Sequence, residues 1–346
     1  NGHEICKKYI PKSNHRQAGP REGNRTRKKS IPIAPLFAEH ADTEQLVYHM
    51  DDFRLGDQIE ITLKMHGTSG RTGYLPKFQG YKRTFWDKLF RREGIPIYDW
   101  GYVTGTRRVV LHDFEDGGYY GSNEFRAPHA KFFEGKLNKG ETVYYEIVGF
   151  TTDGTPIMAS VANSKISDKE FTKQYGKTTT FSYGCAPDGQ KIMYGNDDLG
   201  AFELPIEMPQ SALYVYRMTM TNEDGDIVEY TPDFMRYRCE QMGVKCVPIM
   251  WKGYIPTELQ LATETTVTTP GDYIKAIAEQ YYDGPDPIGK THVREGVVCR
   301  IVNRPKFTAY KHKNFAFKCL EGIAKAEAEA PDMEEAEEVL NEEMSI

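Results

Sequence analysis

Apolar and polar residues alternate through Ile59-Glu60-Ile61-Thr62-Leu63 with the two-residue period of a half-buried strand, and the pattern halts at Lys64. Small and polar residues follow, Met65-His66-Gly67-Thr68-Ser69-Gly70-Arg71-Thr72-Gly73, so the lysine stands at the mouth of the strand. Upstream, Ile31-Pro32-Ile33-Ala34-Pro35-Leu36-Phe37 reads as an extended segment and Thr43 to Tyr48 as a short helix. From Tyr102 onward strand signals dominate. Tyr102-Val103-Thr104 leads to Arg107-Arg108-Val109-Val110-Leu111, and Thr142 to Gly149 is a run of high β-propensity. Leu213 to Met220, the turn Asn222-Glu223-Asp224-Gly225-Asp226 and Ile227 to Tyr230 predict a hairpin. A helix over 235–243 with a glycine stop, a strand over 244–250, a helix over 273–282 and strands over 297–302 and 307–312 complete the set. The elements predict an α+β fold with large antiparallel sheets.

Residues 74–101 interrupt the pattern by interleaving charge with aromatic side chains, among them Lys77, Tyr81, Arg83, Trp86, Lys88, Phe90, Arg91 and Arg92. The mixture suits an amphipathic helix that packs Trp86 and Phe90 into a core, and equally a surface for phosphate contact and base stacking. The ends are polar. Residues 1–30 predict a basic arm, residues 321–346 an acidic helical tail broken at Pro331, and residues 31–320 the folded domain between them.

Composition narrows the class. With 39% hydrophobic and 27% charged residues and a mean hydropathy of -0.61, the 346-residue chain reads as a soluble globular protein. No apolar run approaches the roughly 20 residues of a membrane helix, and the first residues carry no signal-peptide core, so a cytoplasmic protein is expected. The net charge of -6 conceals an asymmetry, with Lys and Arg crowding the start and Glu and Asp the end, which leaves room for a basic, nucleic-acid-facing surface. The 6 cysteines are scattered without a C-x-x-C pair and read as reduced thiols.

The candidate chemistry gathers around Lys64. An amine at a strand end can be held beside a nucleotide phosphate, and Gly67 lets the backbone come close to a ligand. Glu146 lies within an otherwise apolar strand, where an ionised carboxylate is costly unless it binds something. Glu295-Gly296-Val297-Val298 sets a second carboxylate at the head of another buried strand. Lys311 and Lys313, two apart, share one strand face and call for an anion between them, for which a phosphate is the natural candidate. Arg107 and Arg108 add positive charge near a strand end.

These residues resemble the motifs of the polynucleotide ligase and capping-enzyme superfamily, and within it the double-strand-type RNA ligases of phages (the RNA ligase 2 class). Lys64-Met65-His66-Gly67-Thr68 looks like the RNA-ligase form of the nucleophile motif, and Lys311-His312-Lys313-Asn314 followed by Phe317 is a close fit to the last one. The resemblance implies an adenylyltransferase (ATP-grasp-like nucleotidyltransferase) domain of antiparallel β-sheets flanked by helices. It implies that Lys64 becomes adenylylated, that Arg107 or Arg108 engages substrate and nucleotide, and that Glu146 holds the ribose hydroxyl. It further implies that Tyr216 stacks on adenine, that Glu295 and Glu146 serve a metal, and that Lys311 and Lys313 contact phosphate, with His66 and Gly67 beside the nucleotide. ATP as AMP donor, Mg²⁺ or Mn²⁺, and RNA (nicked, splinted or hybrid with DNA) are the implied cofactors and partner of a monomer working in RNA repair. Leu63 and Ser69 depart from the family pattern, which often has Glu and Asn there. Few residues follow Lys313, so no C-terminal OB domain is expected.

The resemblance also implies a route: Lys64 takes AMP from ATP, AMP passes to an RNA 5′-phosphate, and a 3′-hydroxyl displaces it. Neighbouring cations at Lys311, Lys313 and a metal are expected to favour the neutral amine this needs. A DNA ligase or GTP-using capping enzyme of the same superfamily, and a catalytically silent RNA-binding protein on the same fold, stand as alternatives.

Overall fold

Fourteen described strands follow from these runs. They are β1 (Glu44–Gln45), β2 (Gln58–Lys64), β3 (Thr68–Lys82), β4 (Ile95–Gly105), β5 (Val110–Leu111), β6 (Glu141–Gly149), β7 (Lys191–Met193), β8 (Ala201–Glu203), β9 (Ser211–Thr221), β10 (Ile227–Glu229), β11 (Lys245–Cys246), β12 (Ile249–Tyr254), β13 (Gly296–Ile301) and β14 (Thr308–Lys313). Helices α1 (Phe85–Leu89), α2 (Ala127–Phe132), α3 (Pro232–Met242) and α4 (Pro270–Tyr281) lie between them. A computed structural model describes residues 33–40, 43–90, 92, 94–114, 122–149, 151–152, 157, 211–257, 268–284, 286–288, 294–314 and 318, and the backbone of β7 and β8. The predicted arm 1–30 and tail 321–346 lie outside them.

Two sheets carry the fold. The first runs β1-β14-β13-β2-β12 and the second β10-β9-β6-β3-β4-β5, with β11 against β9; β7 and β8 form a separate pair. Apart from β1 on β14 and β11 on β9, the pairings are antiparallel. Alternation then decides which side of each sheet is core. Ile59, Ile61, Val297, Cys299 and Ile301 turn one way and pack with Leu46, Phe53 and the buried stripe Ile274 and Ala278 of α4. Val143, Tyr145, Ile147, Val215 and Met218 pack behind the second sheet with Met235, Cys239 and Met242 of α3. A third cluster of Leu63, Met65, Val148, Tyr214 and Val247 joins residues of both sheets.

Both long helices begin three residues before their predicted starts, at Pro232 and Pro270, where threonine caps set them off, and the Gly243 stop falls where predicted. Thr231 caps α3 through Phe234 N–H with Pro232 in its first turn, and Gly243 stops it at φ 73°. Thr269 and Asp272 form a capping box on α4.

Four local predictions are revised. Residues 43–48 are β1 and a single 3-10 turn rather than a helix. Arg107 and Arg108 occupy a turn closed by Thr106 N–H to the Val109 carbonyl, and only Val110–Leu111 is strand. The run 244–250 splits into β11 and β12 because Pro248 has no N–H to give a ladder; there the chain leaves the second sheet for the first, with Val247 N–H on the Val215 carbonyl and Leu63 N–H on that of Pro248. The stretch 74–101 is the outer part of a β3–β4 hairpin. β6 pairs with β3 only as far as Gly73, so beyond it the two strands run on as a ribbon, with α1 near its turn. Phe85, Trp86 and Phe90 are exposed there, since among the described residues no sheet lies over this five-residue helix.

Candidate active site

The inner face of the first sheet is ordered by register. Lys64, Gly296 and Lys313 are cross-strand partners, then Thr62, Val298 and Lys311, then Glu60, Arg300 and Ala309. Gly296 has no side chain to part the two lysines, and the preceding Glu295 places its carboxylate against both amines. Lys64 Nζ lies 2.8 Å and Lys313 Nζ 3.3 Å from Glu295 Oε1, while His66 Nδ1 is 3.3 Å from Oε2. Glycine is required at 296: its φ is +152°, and a Cβ would sit 2.2 Å from the His312 carbonyl oxygen. Burial alone would push the Glu295 carboxyl up. The Lys64 and Lys313 ammonium groups, helped by His66, more than reverse this and hold it well below the usual carboxylate range. Lys313 is fully buried, whereas Lys311 opens into the space between the sheets.

That space is a cleft open to solvent, lined by side chains of both sheets. Ser69, Glu146, Tyr216 and Arg107 face it from the second-sheet side. Ser69 on β3 pairs with Glu146 on β6, and the Ser69 hydroxyl is 2.9 Å from the Tyr216 hydroxyl. Tyr216 reaches the cleft through a β-bulge. Tyr144 pairs with Arg217 and Tyr145 with Val215, which leaves Tyr216 as the extra residue, re-aimed out of the alternation. Burial and the nearby Glu146 carboxylate push its phenol up, so it stays protonated.

Two buried arginines set this wall in place, and neither stood out in the sequence. Arg71 gives Nε to the Thr106 carbonyl at 2.9 Å, Nη1 to that of Phe37 at 3.2 Å and Nη2 to that of Arg108 at 2.8 Å. It thereby fixes the turn that bears Arg107. Arg126 gives Nη1 to the Ser69 carbonyl at 2.9 Å and Nη2 to the Thr68 hydroxyl at 2.6 Å, anchoring the start of β3. Gly67 is spatially constrained as well, since a Cβ there would meet the Ile147 carbonyl oxygen at 2.4 Å and the Val148 side chain at 2.7 Å.

Further along, buried ion pairs tie the sheets together. Arg236 of α3 makes a two-pronged bond to Glu60 of β2 at 2.9 and 2.8 Å, and Glu229 of β10 holds Arg217 at 2.8 and 2.9 Å with Arg300 of β13 at 3.5 Å. His40 lines the same region, 5.0 Å from the Tyr216 ring and 3.2 Å from Arg217 Nη1. Burial, then the Arg107 and Arg217 cations, lower its imidazole well below the ordinary value and keep it neutral.

Of the residues singled out in the sequence, Lys64, Arg107, Glu146, Tyr216 and Lys311 line the cleft. Glu295, Lys313 and His66 form the buried cluster on Lys64, and Arg108 contributes its carbonyl to Arg71. Arg71, Arg126, Glu60, Arg236 and His40 are the residues that sequence reasoning missed. Among the described residues no three His, Cys, Asp or Glu side chains gather as a metal cage, and no helix is long and apolar enough to cross a membrane.

No protein-family profile matches the chain, and no curated protein does. Among solved structures it is similar to a Naegleria gruberi RNA ligase with pyrophosphate, at 14% identity and a TM-score of 0.44, over 90% of this chain and 64% of that one. It is also similar to variants of a Naegleria gruberi RNA ligase. One, with ATP and Mn, has 15% identity and a TM-score of 0.43 over 83% and 57% of the two chains. Another, with AMP and Mn, has a TM-score of 0.42. The chain thus spans less than two thirds of the length of these proteins.

Proposed function

We propose that the protein is an ATP-dependent RNA ligase that seals 5′-phosphate and 3′-hydroxyl ends through a lysine–AMP intermediate. One observation carries the reading: Lys64, Arg107, Glu146, Tyr216 and Lys311, far apart in sequence, line a single cleft between two sheets. An amine, an aromatic ring, a carboxylate and two further cations around one cleft are what covalent nucleotidyl transfer needs.

In the first step Lys64 Nζ bonds to the α-phosphorus of ATP as the bond to the bridging oxygen breaks and diphosphate leaves. Lys64 must first release a proton. The Lys313 ammonium on the same carboxylate favours that release, while the Glu295 contact itself holds the ammonium form until substrate enters. Lys311 and Arg107 offset charge on the phosphates as the transition state forms. Tyr216 offers its ring to adenine and Glu146 its carboxylate to a ribose hydroxyl. AMP then passes to the RNA 5′-phosphate, and the 3′-hydroxyl displaces it to form the phosphodiester.

Mg²⁺ or Mn²⁺ fits the cleft as an ion shared with the substrate, since such ions take one or two carboxylates and complete their shell with phosphate and water. Glu146 faces the cleft and suits that role; Glu295 holds Lys64 and Lys313 and would reach a cation only by giving up one of them. A bound cation supplies charge neutralisation at the phosphates. Under this reading the protein is a cytoplasmic monomer of the double-strand-type class, phage-derived, with a basic arm over 1–30, a catalytic domain over 31–320 and an acidic tail over 321–346.

The test pairs nucleotide choice with sealing. AMP from ATP radiolabelled at the α-phosphate, and not GMP from GTP labelled likewise, should remain on the protein, and a nick with a 5′-phosphate in duplex RNA should be closed. Retention of GMP, or sealing of DNA nicks alone, would replace the proposal with a capping enzyme or a DNA ligase.

A further inference from the structure

The β3–β4 ribbon presents an apolar, cationic tip to solvent. Phe85, Trp86 and Phe90 are 73%, 62% and 60% exposed. Trp86 and Phe90 lie nearly parallel, with ring centroids 6.0 Å apart and planes at 15°, and the Arg92 guanidinium sits 5.7 Å from the Phe90 centroid. The Arg83 guanidinium lies 5.9 Å from the Tyr81 ring. Between Lys77 and Tyr98 there are six basic and two acidic residues, in a chain whose net charge is -6.

A two-stranded ribbon is marginal in water, and one ending in bare aromatic rings invites a partner. The edges of this ribbon are poorly suited to adding a strand. Pro76 and Pro96 remove donors, and a bulge between Phe78 and Gly80 bends one side. The partner therefore meets side chains at the tip, and the positive charge there calls for an anion with flat faces.

We infer that the tip is a second nucleic-acid contact: unpaired bases of an RNA strand stack on Trp86 and Phe90 while Lys88, Arg83 and Arg92 meet its phosphates. The ribbon is continuous with the cleft, because β3 begins at Thr68 in the site and β4 ends at Gly105 just before Arg107. Thr68 to Lys82 is roughly 45 Å of strand at 3.3 Å per residue. The tip thus reads RNA well away from the ends being joined. RNA as the partner rests on the ligase reading; the tip's contact with it is independent of catalysis at Lys64.

The experiment measures binding of a fluorescein-labelled single-stranded RNA of 24 nucleotides by anisotropy. It compares wild type, Trp86→Ala/Phe90→Ala and Lys88→Glu/Arg92→Glu, with ATP labelling of the same samples as the readout of the cleft. The aromatic pair should weaken 24-nucleotide binding by at least about 5-fold, the smallest loss expected for one stacked base. The charge pair should flatten its salt dependence by about one unit of slope per lost phosphate contact. Neither should alter ATP labelling. Wild-type affinity for the 24-nucleotide RNA in both variants overturns the inference. So does self-association that vanishes with Trp86 and Phe90 while RNA affinity stays put, which would make the tip a contact between protein copies. If wild type takes no label from ATP yet tip variants lose RNA, the ligase reading fails and the tip stands.

Discussion

Lys64 Nζ and Glu295 Oε1 are 2.8 Å apart, and Lys313 Nζ reaches the same oxygen at 3.3 Å. One carboxylate therefore faces two ammonium groups in a place with almost no solvent. Glu295→Gln should leave two positive charges facing each other and destabilise the fold by about 3–5 kcal/mol, the usual cost of breaking a buried pair from one side. Urea unfolding measures it. Glu295→Gln/Lys313→Met should recover part of the loss, and a double variant no more stable than the single one would contradict the shared-carboxylate arrangement.

Gly67 connects the lysine to the opposite sheet through lack of a side chain. In Gly67→Ala the new methyl would press on the Ile147 carbonyl, Val148 and the Glu146 side chain at 2.9 Å, shifting the strand that carries Glu146. We expect a stability loss of about 1–3 kcal/mol, as in other overpacked sites. The ATP concentration needed for half-maximal labelling should rise at least severalfold. Unchanged labelling would show that β6 yields without disturbing the cleft.

Arg71 acts through Arg107. Lysine cannot bond three carbonyls from one planar fork, so Arg71→Lys should release the 106–108 turn and cost on the order of 3 kcal/mol. RNA sealing should fall by a similar factor in Arg71→Lys, Arg107→Ala and the double variant. Additive losses would mean that the two residues serve separate purposes.

Acid should weaken the fold partly through His129. Its imidazole is lowered from 6.5 to about 4 by burial and by Arg126, and one ring nitrogen is 2.7 Å from the Ser211 hydroxyl. Below pH 6.5 the unfolded chain takes a proton that the folded one refuses. Stability is then full above about 6.5 and falls down to about 4, by at most about 1.4 kcal/mol per pH unit for this group. Urea midpoints at pH 7, 6 and 5 should fall less steeply in His129→Gln than in wild type. Parallel curves would rule His129 out as a contributor.

Much of this site was legible in the chain because strands translate spacing into direction. The period of two put Glu60, Thr62 and Lys64 on one side of β2 and Ile59 and Ile61 on the other, and it put Lys311 and Lys313 on one face of β14. The anion the lysine pair called for was partly misjudged. Lys313 has Glu295 beside it within the protein, while Lys311 faces the cleft. Arg71 and Arg126 were illegible, since a buried arginine looks like a surface one until its carbonyl acceptors are known. The bulge at Tyr216 depends on the partner strand's register, which no local pattern carries. Trp86 and Phe90 have the spacing of a packed helix, but they are exposed at the ribbon's tip.

The central claim is that Lys64 is the residue that takes AMP. Incubating the purified protein with ATP and Mg²⁺ or Mn²⁺, digesting it and sequencing the modified peptide by mass spectrometry tests this directly. The account predicts AMP on Lys64 in wild type and none on a folded Lys64→Ala protein. AMP on another lysine, or no AMP on wild type with either metal, would contradict it.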